Sequence, residues 1–198
     1  MQPKNWYKLC GDSIRREFGA DANLFIDLLT ATSPRKQVSA NWRLAMRIYH
    51  VWQTRSLSLH IAGIANTEMW LRFRDFYDNL MQGTLPAHQS NIIRALQRRL
   101  LSGNKVRAFA ANLKGDYEQV TLDVWMCRHY GYPQTLTDKK YAELSAIVRT
   151  EAAAAGMQPA EYQAVIWHET IRAYGRKPRS YLGVKDRNQK FFEFYLTS

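Results

Sequence analysis

An amine and a carboxylate stand 18 positions apart, each at the expected start of a helix: Lys105, just after the turn residue Gly103, and Asp123, just after the extended triplet Val120-Thr121-Leu122. A carboxylate aimed at a carbon that gains positive charge in a transition state stabilises that charge or activates a nucleophile. At a helix N-terminus the macrodipole favours the carboxylate's negative form. A lysine that attacks carbon must be a neutral amine, and the positive potential of a helix start with Arg107 nearby lowers an amine's pKa. Each residue also has a plainer reading. Asp123 serves as an N-cap, and Lys105 as a solvated cation or an anchor for phosphate.

The surroundings of this pair are basic. The 198 residues carry 28 Lys and Arg against 17 Asp and Glu, a net charge of +11 and a pI near 9.8. Such a field favours a polyanionic partner, most often nucleic acid. Three stretches concentrate it. Residues 31–55 hold Arg35, Lys36, Arg43, Arg47 and Arg55 without an acid, and residues 88–107 hold Arg94, Arg98, Arg99, Lys105 and Arg107, again without one. Residues 172–190 set seven basic residues against Asp186 alone. Solvated helix faces are the ordinary explanation for one stretch; three in one domain point to phosphate contacts, each adding to salt-dependent binding.

Two cysteines, Cys10 and Cys127, are too few for a disulfide framework or a four-thiolate metal site. No metal and no cofactor is expected, and Cys127 reads as a small buried hydrophobe. No apolar run approaches the roughly 20 residues that span a bilayer. The N-terminal Met1-Gln2-Pro3-Lys4-Asn5-Trp6 lacks the core of a signal peptide. These features lead us to expect a soluble, monomeric protein of a reducing intracellular compartment, cytoplasmic or nucleoid-associated, with no membrane partner.

Helical periodicity supplies the elements that must hold the pair in place. A short apolar helix covers 22–31 and stops before Pro34. Residues 38–54 place Trp42, Met46, Tyr49 and Trp52 on one face, with Arg43, Arg47 and His50 on another. A helix over 66–81 ends at the turn Gly83-Thr84-Leu85-Pro86. Residues 88–101 set Ile92, Ile93, Leu96 and Leu100 against Arg94, Arg98 and Arg99, and Gly103 ends that run. The next helix begins near Lys105, buries Val106, Phe109, Ala110 and Leu113, and ends at Gly115. Further helices cover 123–130, 139–155 behind a Thr137-Asp138 cap, and a last stretch from Pro159 to Gly175. The tail over 176–198 is basic and then aromatic. The expected fold is all-α, with little or no sheet.

The order of these elements resembles the helix-hairpin-helix DNA glycosylase superfamily, the endonuclease III-like enzymes. Members have a hairpin ending in Gly-x-Lys, a small-residue helix, and a hydrophobic-Asp-x-x-x-x-Arg start to the next helix. Gly103-Asn104-Lys105 matches the first element, and Val120-Thr121-Leu122-Asp123 with Arg128 the last. Leu28-Leu29-Thr30-Ala31 resembles the family's early Leu-Leu-Ser-Ala segment. Trp167-His168, Tyr174-Gly175 and Arg176-Lys177-Pro178 resemble its final helix and exit. The likeness covers about residues 22–180.

The resemblance implies one two-lobed helical domain over 1–198 with a central cleft, its lobes being about 35–120 and 1–34 plus 121–198. It implies a DNA base glycosylase-like enzyme of base excision repair that acts on a nucleotide flipped out of duplex DNA, with or without abasic-site lyase activity. Asp123 would be the electrostatic or general-base carboxylate, and Lys105 the nucleophile or phosphate anchor. Arg35, Lys36, Arg43, Arg47, Gly103, Asn104, Arg107, Arg176 and Lys177 would contact DNA, and Trp125, Trp167 and His168 would line a base pocket by stacking. Core packing is the commoner role for such aromatics.

The chain also departs from the pattern. The hairpin Leu101-Ser102-Gly103-Asn104-Lys105 is two residues shorter than the usual Leu-Pro-Gly-Val-Gly-x-Lys and keeps one glycine. Trp125 stands where a His is frequent, and the four-cysteine loop of the iron–sulfur members is absent. Three other readings therefore stay open. One is a base-modifying (hypermodification) enzyme on the same fold, of a viral kind, acting at a 5-hydroxymethyl pyrimidine. Another is a non-catalytic DNA-binding module. The third is an RNA-binding protein.

Overall fold

A computed structural model describes residues 2–34, 36–62 and 86–182, with the backbone alone at 51, 54–62 and 86–88. The expected helix over 66–81, Arg35 and the aromatic tail residues Phe191–Tyr195 lie outside the described residues. The elements are α1 (Trp6–Phe18), α2 (Ala22–Thr32), α3 (Val38–Ala62), α4 (Pro86–Leu96), α5 (Asn104–Lys114), α6 (Val124–His129), α7 (Asp138–Ala154) and α8 (Pro159–Ala173), with short 3-10 turns before α1 and α2. The fold is all-α, and no strand occurs among the described residues.

Helix α2 is the hub. Nine of its eleven residues are buried, including Phe25, Ile26, Leu28 and Leu29, which is what a helix apolar on every side requires. It packs against α1, α3, α4 and α5. Its C-terminal end is tied down by Asn41, whose Nδ2 donates to the Leu29 carbonyl at 3.0 Å and to the Tyr181 hydroxyl at 2.7 Å. Helix α1 crosses α5 where Gly11 lets the backbones touch; a Cβ there would sit 2.3 Å from the Leu113 carbonyl oxygen.

Two apolar clusters form. The larger joins α1–α5, Ala160, Ala164 and Tyr181. The smaller contains Val120, Leu122, Met126, Leu144, Val148 and Ile166, from α6–α8 and the segment before α6. Helices α1 and α2 bury their apolar faces with α3–α5, and α8 contributes to both clusters.

Most expected boundaries match to within a residue or two, and three differ. Helix α1, Trp6–Phe18, is an addition, anchored by Trp6, Tyr7, Cys10 and Ile14. Helix α3 runs to Ala62, past the expected end at 54. Helix α4 stops at Leu96, short of the expected 101. There Arg98 turns left-handed at φ 53°, and the Arg99 N–H reaches back to the Arg94 carbonyl at 2.8 Å. That is a helix-ending motif usually built on glycine. Leu100, placed by its spacing on the buried face, is 72 % exposed as a result.

Candidate functional site

The start of α6 fixes the carboxylate. The Tyr141 hydroxyl donates to the Val120 carbonyl at 2.7 Å and accepts the Leu122 N–H at 3.3 Å, clamping the extended segment that leads to Asp123. Asp123 then caps α6, its Oδ1 accepting from the Trp125 N–H at 2.9 Å and the Met126 N–H at 3.1 Å. Its Oδ2 accepts from the indole Nε1 of Trp167, one helix away on α8, at 2.8 Å. A carboxylate has about four acceptor positions, so one, on Oδ2, stays open.

The start of α5 fixes the amine. Gly103 precedes it at φ 88°, ψ 132° and gives no side-chain cap, which leaves the first backbone N–H groups of the helix without an intrahelical or capping partner. Lys105 follows, half-buried, and makes no hydrogen bond or ion pair among the described residues. Burial pushes its pKa below the usual lysine value, while the charges of Asp123 and Cys127 act in the opposite direction. The cause is desolvation and not Arg107, which is exposed and donates to Asn104 Oδ1 at 2.6 Å.

Lys105 and Asp123 line one cleft of about 620 Å³. Its walls come from Trp6 and Tyr7 of α1, Ser33, Pro34, Lys36 and Val38, Phe109 of α5, the 121–125 segment, Gln134 and Thr135, and Gln163, Ala164 and Trp167 of α8, with Tyr181 closing one side. Aromatic rings dominate: Trp6 lies 5.8 Å from Trp167, 5.7 Å from Tyr181 and 6.3 Å from Phe109, centroid to centroid. Size and lining suit a planar small molecule held by a few polar groups.

Residues 2–173 match the model of a family described as a family of unknown function (DUF7178). The chain belongs to DUF7178. No curated protein and no solved structure matches it. The DUF7178 region contains Lys105, Asp123, Trp125, Gln163 and Trp167, while Arg176, Lys177 and Tyr181 follow it.

Among the other residues singled out from the sequence of this DUF7178 protein, Lys36, Trp125 and Trp167 line the cleft with the central pair. His168 does not. It is buried against Trp167, neither ring nitrogen has a partner among the described residues, and desolvation lowers its pKa. One helix position is a rotation of about 100°, so Trp167 and His168 cannot share a face. Arg43 and Arg47 are exposed on α3 and do not line the cleft. Asn104 donates to Asp138 Oδ1 at 2.8 Å, tying the starts of α5 and α7 together. Arg176 and Lys177 are exposed, and the Arg176 guanidinium lies 5.5 Å from the Trp125 ring.

Several residues at or near the cleft were not singled out as site residues. Arg128 lies 4.6 Å over Trp125, on the edge of the cleft, where it joins Arg176 and Tyr174 in a cationic and aromatic cluster. Tyr7, Gln163 and Tyr181 line the interior. The signal for Gln163 was its spacing: it stands four positions before Trp167, on the same face of α8. Among the described residues no group of three His, Cys, Asp or Glu side chains is placed to hold a metal, and no helix is long and apolar enough to cross a membrane.

Proposed function

We propose that this protein binds duplex DNA and acts on a nucleotide drawn out of the stack into the cleft, as a base glycosylase does. One observation carries the reading: a bond-poor, desolvated amine and a firmly held carboxylate face the same aromatic-walled space. An extruded nucleotide places its base among Trp6, Trp125 and Trp167, which offer faces for stacking. Its sugar lies between Lys105 and Asp123. As the bond from C1′ to the base breaks, positive charge grows on the sugar, and Asp123 stabilises it through the open position on Oδ2. Lys105, its charged form disfavoured by burial, attacks C1′ or holds the adjacent phosphate.

The exposed cations Lys36, Arg43, Arg47, Arg128, Arg176 and Lys177 supply backbone contacts, and the uncapped start of α5 supplies N–H groups to a phosphate. Such contacts offset the few kcal/mol that extrusion costs.

The test is incubation with duplexes carrying a panel of damaged or modified bases, followed by mass spectrometry of what is released and of the remaining nucleosides. A freed base that disappears with Asp123→Asn supports excision. A mass change on an intact nucleoside replaces excision with base modification. Salt-dependent binding with no chemistry on any duplex rejects the enzymatic reading in favour of a binding module. Borohydride trapping on an abasic duplex, abolished by Lys105→Met, identifies the lysine as nucleophile.

A further inference from the structure

The cleft has a gradient of depth. Lys36 is exposed, Lys105, Asp123 and Trp125 are half-buried, and Gln163 and Tyr7 are 2 % and 5 % exposed. A base extruded from a duplex remains tethered at its sugar, so the edge farthest from the sugar travels deepest. Under the reading above, the sugar stops at the Lys105–Asp123 level and that far edge meets Gln163.

Gln163 is held in one orientation. The Tyr7 hydroxyl donates to its Oε1 at 2.6 Å, which leaves the amide nitrogen turned away from Tyr7. That nitrogen makes no hydrogen bond among the described residues, and the side chain lines the cleft. Its two N–H donors are not sealed off from solvent, so they are open to a group that enters the cleft. The other polar groups at this depth are the hydroxyls of Thr121 and Tyr181, which already accept the Asn112 amide at 3.0 Å and the Asn41 amide at 2.7 Å.

We infer that Gln163 is a specificity-determining residue that donates to a carbonyl oxygen on the far edge of the bound base, so that the cleft selects a keto base over its amino counterpart. In a pyrimidine the atom opposite the sugar-bearing nitrogen is C4; uracil and thymine carry oxygen there and cytosine an amino group. In a purine the same distinction falls at C6, between hypoxanthine or guanine and adenine. Two donors facing an amino group leave both sides unsatisfied, which is the kind of mismatch that binding sites reject most strongly. Tyr7 is the positioning residue, acting only through the amide it orients.

This inference rests on the proposed function, and one experiment separates the two. Fluorescence anisotropy measures affinity for a fully paired duplex and for duplexes bearing one bulged nucleotide: uracil, cytosine, hypoxanthine or adenine. A 2′-fluoro sugar at the bulge resists cleavage of the base. The wild-type protein is expected to favour uracil over cytosine and hypoxanthine over adenine by about tenfold, the effect of one buried hydrogen bond made or lost. Gln163→Leu removes the preference. Gln163→Glu keeps an acceptor for Tyr7 and presents another to the cleft, so it inverts the preference toward cytosine and adenine. Tyr7→Phe frees the amide to rotate and weakens the preference without inverting it, which keeps the test sound should a Gln163 variant fail to fold. Bulged duplexes that all bind tighter than the paired one, with equal affinity for keto and amino bases, overturn this inference and leave the proposed function standing. Bulged duplexes that bind no better than the paired one overturn both.

Discussion

Asp123, at the start of α6, accepts three hydrogen bonds, two from its own helix and one from Trp167 across the cleft. Lys105, at the start of α5, makes none among the described residues, and its helix begins without a side-chain cap. The two starts face the same space but are built in opposite ways. A group that stabilises charge must not reorganise as the charge appears, and a web of fixed donors provides that. A group that forms a bond, or follows a phosphate, must move, and a lysine stem without partners can. The difference teaches how two helix starts on one cleft can be built: α6 is locked by its own carboxylate, while α5 is held by its buried face and leaves the Lys105 amine without a partner among the described residues.

The largest effect expected from breaking this contrast is at Asp123. Alanine there removes the cap, at about 1 kcal/mol. It also leaves the half-buried Trp167 N–H without its acceptor, at about 1–3 kcal/mol more, so urea unfolding should show a loss of roughly 2–4 kcal/mol. Asparagine keeps an oxygen for the two backbone N–H groups but sets its amide nitrogen against the Trp167 N–H, so it should retain the cap and lose about 1–3 kcal/mol. It removes the charge, however, and base release should fall by at least about 100-fold. Equal stabilities for the two variants would show that the cap does not hold α6, and an asparagine variant as stable as the parent would show that Trp167 does not hold the carboxylate; either result removes the contrast between the two starts.

A smaller effect is expected at Gly103. Its φ of 88° with ψ of 132° lies in a region closed to residues with a side chain. A Cβ built there meets nothing within 4 Å. The cost of Gly103→Ala is therefore backbone strain alone, about 1–3 kcal/mol, readable in the same urea titration. Because α5 is anchored by Val106, Phe109 and Leu113, the strain should relax through its first turn and displace Lys105. Borohydride trapping should then fall while the Asp123 cap is unaffected. A fully stable Gly103→Ala protein would mean that the α5 start is not built around this glycine.

The local elements were legible for reasons that these two starts illustrate. The face Val106, Phe109, Ala110 and Leu113 follows helical spacing, and all four are buried. Gly115 at φ 106° ends the helix as its position implied. Asp123 after an extended triplet reads as a cap and is one. The failures arise where the chain reaches the same geometry without the usual residue. Arg98 ends α4 in a left-handed turn that sequence assigns to glycine. Helix α1 carries Trp6, Cys10 and Ile14 at spacings of four, but Gly11 and a polar start mask the pattern; that glycine is needed for the close crossing with α5. Within the cleft, the Tyr7–Gln163 bond joins residues 156 positions apart. No local pattern encodes such a contact, so the deep polar group came into view only through packing.

The smallest expected effect sharpens the other half of the contrast. Burial lowers the Lys105 pKa in the folded protein from the ordinary 10.5, against the opposing pull of Asp123 and Cys127. Below both values the folded state carries a protonated amine that it disfavours relative to the unfolded chain, so the unfolded chain binds more protons between them and stability rises with pH across that window. Lys105→Met removes the charge at similar length. Its melting temperature should exceed that of the parent near neutral pH, and the gap should narrow as pH climbs toward 10.5, where the unfolded lysine also loses its proton. A parent protein that is more stable at neutral pH, or a gap indifferent to pH, would mean that Asp123 compensates the amine fully. The lysine would then be a held ion-pair partner, no freer than the acid it faces, and the phosphate-anchor role would be preferred to the nucleophile.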